Sequence, residues 1–308
     1  MQSTIRICIS SAFAALALTA TSIAAAAQSA NVNWGPWSFQ WEVANDSGIG
    51  IRNVTFEGRK VLHKGALPVV RVKYDTVNGQ TCGPYADRIN WNNLVTNNNC
   101  NNGQKVCQRT FSFAGKEWLE ISGRAFIGSY DIVQVWYFTR EGHVQPRLFS
   151  RGLQCQLNHV HHPYWTLDFD MDGAGNDEAF LHSPRIGDLG HGPGWFRYGT
   201  EFDSRRQMNE PPTWFTWDAQ TKFGVFVKPS RSDGDADNFS QLNAGIRRYQ
   251  PGENNAWAFG ANGELGYKNG ESVLSQDNVL WYVGHLFHAK SEGPNQYHAV
   301  GPLLNVSR

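Results

Sequence analysis

The sequence predicts an all-β fold, a large antiparallel β-sandwich, on three observations. Helix-favouring Ala, Leu, Glu and Lys are scarce beyond the N-terminus, while 31 Gly, 12 Trp, 10 Tyr and 18 Phe crowd the 308 residues; aromatic residues favour strands and glycines favour turns. Apolar residues recur at alternate positions in short bursts, the period of half-buried strands. No internal repeat, linker or charge block divides the chain. Single all-β domains commonly reach roughly 200–250 residues, so one domain over residues 31–308 is the economical arrangement.

Taken in order, the bursts run Trp37, Phe39, Trp41, Val43; then Ile49, Ile51, Val54, Phe56; then Val61, Leu62; then Val69, Val70, Val72, Tyr74. Glu57-Gly58 and Lys64-Gly65 punctuate them as turns punctuate an antiparallel meander. Between Thr76 and Lys105 the pattern gives way to Asn, Gly and Cys, which predicts a long loop with Tyr85-Ala86-Asp87 as its one compact aromatic and ionisable group. Long loops inside compact domains are often functional. A hairpin follows, Ile127 to Thr139 and His143 to Leu148, joined by Arg140-Glu141-Gly142. Phe180 to Asn238 alternates turns such as Gly192-Pro193-Gly194 with short aromatic strands, Trp214 to Trp217 and Phe223 to Val227. The last third carries Ile246 to Tyr249 and a run from Val279 to His288.

Composition excludes some partners. Lys+Arg and Asp+Glu balance at 27 each, and no basic run is interleaved with aromatics, so nothing draws the chain to nucleic acid or an anionic membrane. Arg6 precedes an apolar run from Ala12 to Ala27 with small residues at Ala25 and Ala27. That is the pattern of a secretory signal over residues 1–27, cleaved after Ala27 or Ala30 and too short for a membrane anchor. The mature chain is expected to be secreted or periplasmic. Without Cys8, four cysteines remain, Cys82, Cys100, Cys107 and Cys155. In an oxidising compartment they predict two disulfides, with Cys100–Cys107 the first choice of the possible pairings. No Cys-x-x-Cys pair supports a thiolate metal site.

The chemistry concentrates between Asn158 and Gly173. Val, Tyr, Trp, Thr, Leu and Phe favour an extended strand there, and residues two apart in a strand share a face. His159 and His161 therefore point the same way, and Asp168, Asp170 and Asp172 repeat the spacing. Imidazoles suit copper or zinc, whereas a carboxylate ladder suits calcium, magnesium or manganese.

This stretch resembles the catalytic domain of copper-containing amine oxidases, whose fold is a large antiparallel supersandwich. That family has a His-x-His strand followed at fixed spacing by Leu-Asp and Asp-Gly, as His159, His161, Leu167-Asp168 and Asp172-Gly173 have here. Leu280-Trp281-Tyr282 to His288 resembles the family's C-terminal strand, and the likeness in order runs from about Trp34 to about Leu304. The resemblance implies copper on His159, His161 and His288, with His162 and His285 as supporting or strand-face residues. It also implies a second cation, calcium or similar, on Asp168, the Phe169 carbonyl, Asp170, Asp277 and the Asn278 carbonyl.

The family makes topaquinone from a tyrosine of its own chain in a Thr-x-x-Asn-Tyr-Asp/Glu motif. Phe126-Ile127-Gly128-Ser129-Tyr130-Asp131 aligns with it, keeping Tyr130 and Asp131 but replacing Thr by Phe126 and Asn by Ser129. Tyr130, Ser129 and Asp131 would then form the cofactor segment. Val69 to Asp75 followed by Tyr85-Ala86-Asp87 resembles the segment of the catalytic base, which implies Asp87 as base, Tyr85 as gate and Tyr74 as hydrogen-bond partner of the quinone; the family's Gly-Glu-Tyr-Gly continuation is absent. The implied activity is oxidative deamination of a primary amine by dioxygen, giving aldehyde, ammonia and hydrogen peroxide. A homodimer is implied by analogy alone. Two other readings stand beside it: a copper protein on the same scaffold without the quinone, favoured by Phe126 and Ser129, and a secreted carbohydrate-binding β-sandwich. Against the last, most tryptophans alternate with apolar residues as core does, and a lectin has no use for the three histidines. The sequence does not specify the amine.

Overall fold

The computed structural model describes residues 28–44, 48–74, 82–96, 104–183, 194–205, 212–252 and 265–307. The signal segment over 1–27, Asp75 and Cys100 lie outside them. The fold is an all-β sandwich of two large antiparallel sheets, and the described residues contain no α-helix.

The first sheet, of ten strands, runs β1 (Ser29–Trp34), β2 (Trp37–Ala44), β3 (Gly48–Phe56), β4 (Arg59–Tyr74), β11 (His159–Phe169), β18 (Asn278–Val283), β17 (Ala244–Arg248) and β14 (Phe202–Ser204), with β5 (Tyr85–Asp87) on β4 and β19 (Leu286–His288) on β11. The second, of eleven, runs β13 (Gly194–Arg197), β12 (Asp177–Ser183), β15 (Thr213–Asp218), β16 (Gly224–Pro229), β21 (Pro302–Val306), β10 (His143–Arg151), β9 (Tyr130–Thr139), β8 (Lys116–Ile127) and β6 (Leu94–Val95). Here β7 (Val106–Phe113) pairs with β8, and β20 (His298–Val300) pairs with β10.

The alternation read from the sequence is the inward face of these strands. In β2, Trp37, Phe39, Trp41 and Val43 are buried while Ser38 is exposed. Trp37 and Phe39 meet Phe138 of the opposite sheet at ring-centroid distances of 5.3 and 4.5 Å. Each large side chain taken out of water contributes about 1.5–3 kcal/mol. Two large polar side chains between the layers are satisfied: Trp37 Nε1 donates to the Thr139 carbonyl at 2.7 Å, and the Gln134 amide exchanges two hydrogen bonds with the Ile49 backbone.

Four elements differ from the sequence reading. Lys64-Gly65, expected as a turn, lies inside β4, its backbone paired with Arg52 and Ile51 on one side and with Asp168 and Leu167 on the other. Ile127 ends β8, and the chain turns at Gly128-Ser129 before β9 begins at Tyr130. The region from Thr76 to Lys105 contains β5 and β6 among its described residues, because β4 extends far enough to offer β5 an edge. The run from Val279 to His288 breaks at Gly284-His285 into β18 and β19. Opposite the break stands Pro163, which has no N–H for the ladder; its carbonyl accepts instead from Gly284 N–H at 3.0 Å. The offset sets His159 and His288 directly opposite each other.

Candidate metal centres and the tyrosine between the sheets

Strand β11 is the spine of the site. It lies between β4 and the pair β18 and β19, with the interlayer core on one face and a second cluster including Leu242 and Leu265 on the other, so every residue from His161 to Asp170 is buried. At its N-terminal end the alternation turns His159 and His161 into the interlayer space, β19 adds His288, and β4 places Tyr74 across from His159. The three imidazoles form a triangle, with centroids 4.9 Å apart for His159 and His161 and 5.2 Å for each other pair. One nitrogen from each lies within 4.8 Å of the others. Tyr130 reaches this triangle from the opposite sheet, its ring 4.6 Å from that of His161.

Hydrogen bonding fixes the protons. His159 Nδ1 is 2.8 Å from the Leu157 carbonyl, which can only accept, so Nδ1 carries the hydrogen and Nε2 presents a lone pair. The Tyr130 hydroxyl, 2.8 Å from that Nε2, therefore donates to it, and its oxygen takes a hydrogen from Tyr74 at 2.6 Å and from the Gln154 amide at 3.2 Å. Burial, and then the bond to Tyr130, hold Tyr74 protonated. Burial lowers all three histidines, His161 well below its ordinary value and His288 to about 3, so each imidazole is neutral as a ligand must be. Buried polar atoms normally have partners, yet both nitrogens of His161 and Nε2 of His288 have none. A metal ion would take one nitrogen of each imidazole, Nε2 of His288 and one of the two on His161, and three neutral imidazoles suit copper(II).

The sequence neighbours fall into place around this core. Asp87 on β5 is raised by burial to about 6 and is close enough to push the Tyr130 and Tyr74 hydroxyls upward. Tyr85 is 39% exposed, with its ring edge-on to the buried Tyr74 at 6.1 Å. A disulfide joins Cys82, just before Tyr85, to Cys155, just after Gln154. It ties the arm bearing Asp87 to the segment under Tyr130; closing a 73-residue separation stabilises the fold by roughly 4 kcal/mol in the chain-entropy picture. Cys107 is also disulfide-bonded; the expected Cys100–Cys107 pairing falls on Cys100, outside the described residues. Gly152, at φ 130, lies so close to Tyr130 that a Cβ there would stand 2.9 Å from the tyrosine Cα.

Other residues point elsewhere. Ser129 is exposed in the turn, and Asp131 faces the outer side of the sheet, held by Arg124, Arg151 and the Tyr297 hydroxyl, which depress it to about 2 against the effect of burial. Phe126 is 52% exposed on that outer side beneath the Arg124 guanidinium. His162 faces away from the triangle and meets His285, Nδ1 to Nδ1 at 2.8 Å, with Asp237 Oδ1 3.2 Å from its Nε2.

The C-terminal end of β11 collects carboxylates. Asp168, Asp170 and Asp277 each bring an oxygen within 4.8 Å of the others, and Phe169 stands across from Asn278. Asp168 Oδ1 and Asp277 Oδ1 have no hydrogen-bond partner, while Asp170 carries Lys60. Burial, then Asp277 and Asp170, raises Asp168 to about 8. The oxygen donors fit a hard cation. Asp172 does not extend the ladder: at φ 60 it turns out of the strand to pair with Arg59. The sequence reading missed Asp177, wholly buried beside the cluster and raised by burial and then Asp170 to about 9. Its only signal was position, nine residues beyond Asp168 at the start of β12.

No protein-family model matches the chain, and no curated protein matches it in sequence. Solved structures do. The fold is similar to a copper-containing benzylamine oxidase from Hansenula polymorpha, with a TM-score of 0.68, 12% identity, and coverage of 90% of this chain and 59% of the other. It is similar to Aspergillus nidulans amine oxidase, with a TM-score of 0.67, 13% identity and coverage of 90% and 51%. For Pichia pastoris lysyl oxidase the values are 0.66, 12%, 90% and 51%. The chain thus spans between half and three fifths of the length of these structures, and the likeness at such identity is one of fold.

Proposed function

We propose that this protein is a copper-dependent oxidase of primary amines, and that Tyr130 is the precursor of its quinone. One observation carries the reading: Tyr130, reaching from one sheet, donates its hydroxyl to the His159 lone pair at 2.8 Å, beside two further imidazoles whose inward nitrogens lack partners. When bound, copper and a quinone supply the redox chemistry, with dioxygen as oxidant and the amine as reductant. Every other task falls to the chain.

His159, His161 and His288 hold the metal, and the Leu157 carbonyl fixes the His159 tautomer, the usual second-layer role for a ligand's other nitrogen. Tyr74 keeps a proton aimed at the Tyr130 oxygen. Asp87, with its pKa near the operating range, is ionised at neutral pH and takes the proton from the carbon beside the amine nitrogen. Tyr85 stands at the mouth as the gate. Calcium or a similar ion at Asp168, Asp170 and Asp277 serves the fold. The disulfide Cys82–Cys155 supports a secreted or periplasmic mature chain, released from its signal.

The test is to prepare the mature chain without metal, add copper(II) in air, and follow visible absorbance and phenylhydrazine reactivity, with Tyr130→Phe as control. A coloured, hydrazine-reactive species absent from the control is the expected result. Tight copper binding through the three histidines with no such species would leave a copper protein without a quinone.

A further inference from the structure

The outer face of the second sheet, far from the interlayer site in topology, carries features that neither metal centre uses. Over β7 to β10 it sinks into a depression of about 500 Å³ lined by Arg109, Glu120, Arg124, Tyr137, Phe149 and Tyr297. Over β12 to β16 a second, of about 270 Å³, is lined by Phe180, Trp195, Phe215, Trp217 and Phe226. In the second, Phe215 and Phe226 stack at 4.3 Å and Trp195, 48% exposed, leans on both at 6.0 Å. These aromatics alternate with core residues, yet they are the outward half of the alternation.

Strand register joins the two depressions. Residues directly opposite one another share a face. Phe180 pairs with Phe215, Phe215 with Phe226, Phe226 with Asn305 and Asn305 with His143. One pleat along β10, Gln145 pairs with Tyr137, Tyr137 with Glu120 and Glu120 with Arg109. The result is one band across the strands. From β12 to β8 it crosses six strand spacings, roughly 29 Å at ~4.8 Å each, which suits an extended chain better than one small molecule.

The charges narrow the occupant. Arg109 is bonded to Glu120 at 2.9 Å, Arg124 to Asp131 at 2.7 Å through two nitrogens, and Arg197, beside Phe180, to Glu178 at 3.2 Å. Guanidiniums already paired with carboxylates offer little to phosphate, so a nucleic acid gains little here. A tight interface between two copies favours a core depleted in charged groups, which this band is not. Paired ions keep spare donors and acceptors, and exposed aromatic faces offer apolar platforms: together they match a ligand that is neutral, polyhydroxylated and ring-faced.

We infer that this band binds a neutral polysaccharide laid across the strands, with sugar rings on Trp195, Phe215 and Phe226 at one end and on Tyr137 and Tyr297 at the other. The inference is independent of the histidine site. Its test is native electrophoresis of the mature chain in gels containing xylan, mixed-linkage β-glucan, galactomannan or dextran, beside Trp195→Ala and Tyr137→Ala, with circular dichroism and size-exclusion of all three. Retardation in at least one gel is expected, weakened about tenfold by either substitution, with the fold and the size-exclusion mass of the parent unchanged. The two positions lie at opposite ends of the band, so one folded variant suffices. The inference is overturned if no gel retards the parent chain, if a folded variant is retarded equally, or if the parent is a dimer that Trp195→Ala dissolves without any retardation.

Discussion

The two ends of β11 bury opposite chemistries within one strand. At the N-terminal end, neutral nitrogens converge on a tyrosine from the other sheet, and two protons are placed by named neighbours: the Leu157 carbonyl holds that of His159, and the His159 lone pair takes that of Tyr130. At the C-terminal end, carboxylates converge on one another, and their shared burial drives protons on rather than fixing them. The first end sets Asp87, raised by burial to about 6, near the Tyr130 and Tyr74 hydroxyls, with Tyr85 edge-on to Tyr74. The second holds like charges that stabilise the fold only when a cation or protons neutralise them. If that contrast is right, substitutions at one end leave the other intact.

The largest effect falls on reactivity alone. Asp87→Asn should lower amine turnover by about 10²–10⁴-fold, the usual worth of a general base, while copper binding and calcium-dependent stability stay as they were. In the parent chain, burial raises Asp87 to about 6, so turnover should climb as pH rises through that value and the carboxylate ionises. Steady-state kinetics between pH 5 and 8 check both points; an unchanged ascending limb in Asp87→Asn would remove Asp87 from the chemistry.

Next in size is His161→Ala. Losing one of three imidazoles should weaken copper(II) by more than about 100-fold, beyond what loss of a supporting residue costs, as read by competition with a chelator of known affinity. The calcium response of the variant's unfolding should match the parent's. A variant that lost both responses would show that the two ends act as one unit.

The carboxylate end is tested by pH. Asp168 and Asp177 are raised to about 8 and about 9 by burial and by neighbouring carboxylates. A raised carboxyl contributes stability that is full below the unfolded value near 3.8 and is lost as pH climbs through the folded value. Without a cation, stability should therefore decline from pH 5 to 9, whereas bound calcium tolerates the ionised form. Thermal unfolding in calcium against chelator should show a gap that widens with pH, reaching about 2.7 kcal/mol when calcium is at 100 times its dissociation constant. Equal gaps at pH 5 and 9 would contradict the assignment.

How far the site could be read from sequence depended on the range of the contacts. His159 and His161 share a face by the period of a strand, and Asp168 and Asp170 by the same rule, so local spacing exposed them. His288 stands opposite His159 only because β19 slips past the break facing Pro163, a long-range register with no local signature beyond the family resemblance. Asp177 begins the next strand after a turn, and Asp172 leaves the ladder through a left-handed backbone; periodicity anticipates neither. The expected loop around Tyr85-Ala86-Asp87 is partly strand, since a short segment becomes ordered when a neighbouring edge satisfies its backbone. Trp37, Trp136, Trp165 and Trp214 lie in the interlayer core and Trp281 in a second buried cluster on the other face of the first sheet, while Trp195 and Trp217 line the outer face of the second.

The smallest effect concerns the two positions where the chain departs from the amine oxidase motif. Their side chains flank Tyr130 in sequence, but alternation and the Gly128-Ser129 turn carry them out of the interlayer space. Phe126 lies on the outer side under Arg124, and Ser129 is exposed, whereas Tyr130 is 2% exposed on the inner side. Phe126→Thr and Ser129→Asn should each shift unfolding by no more than about 0.5 kcal/mol, as surface substitutions do, and leave copper affinity and the extent of the hydrazine-reactive species within about twofold. Urea unfolding and phenylhydrazine titration of the two variants measure this. A large gain of reactive species in Ser129→Asn would mean that the turn reorganises when the site is loaded, bringing position 129 inward against Tyr130, and the boundary between the reactive end of β11 and the surface would then have to be drawn one turn further out.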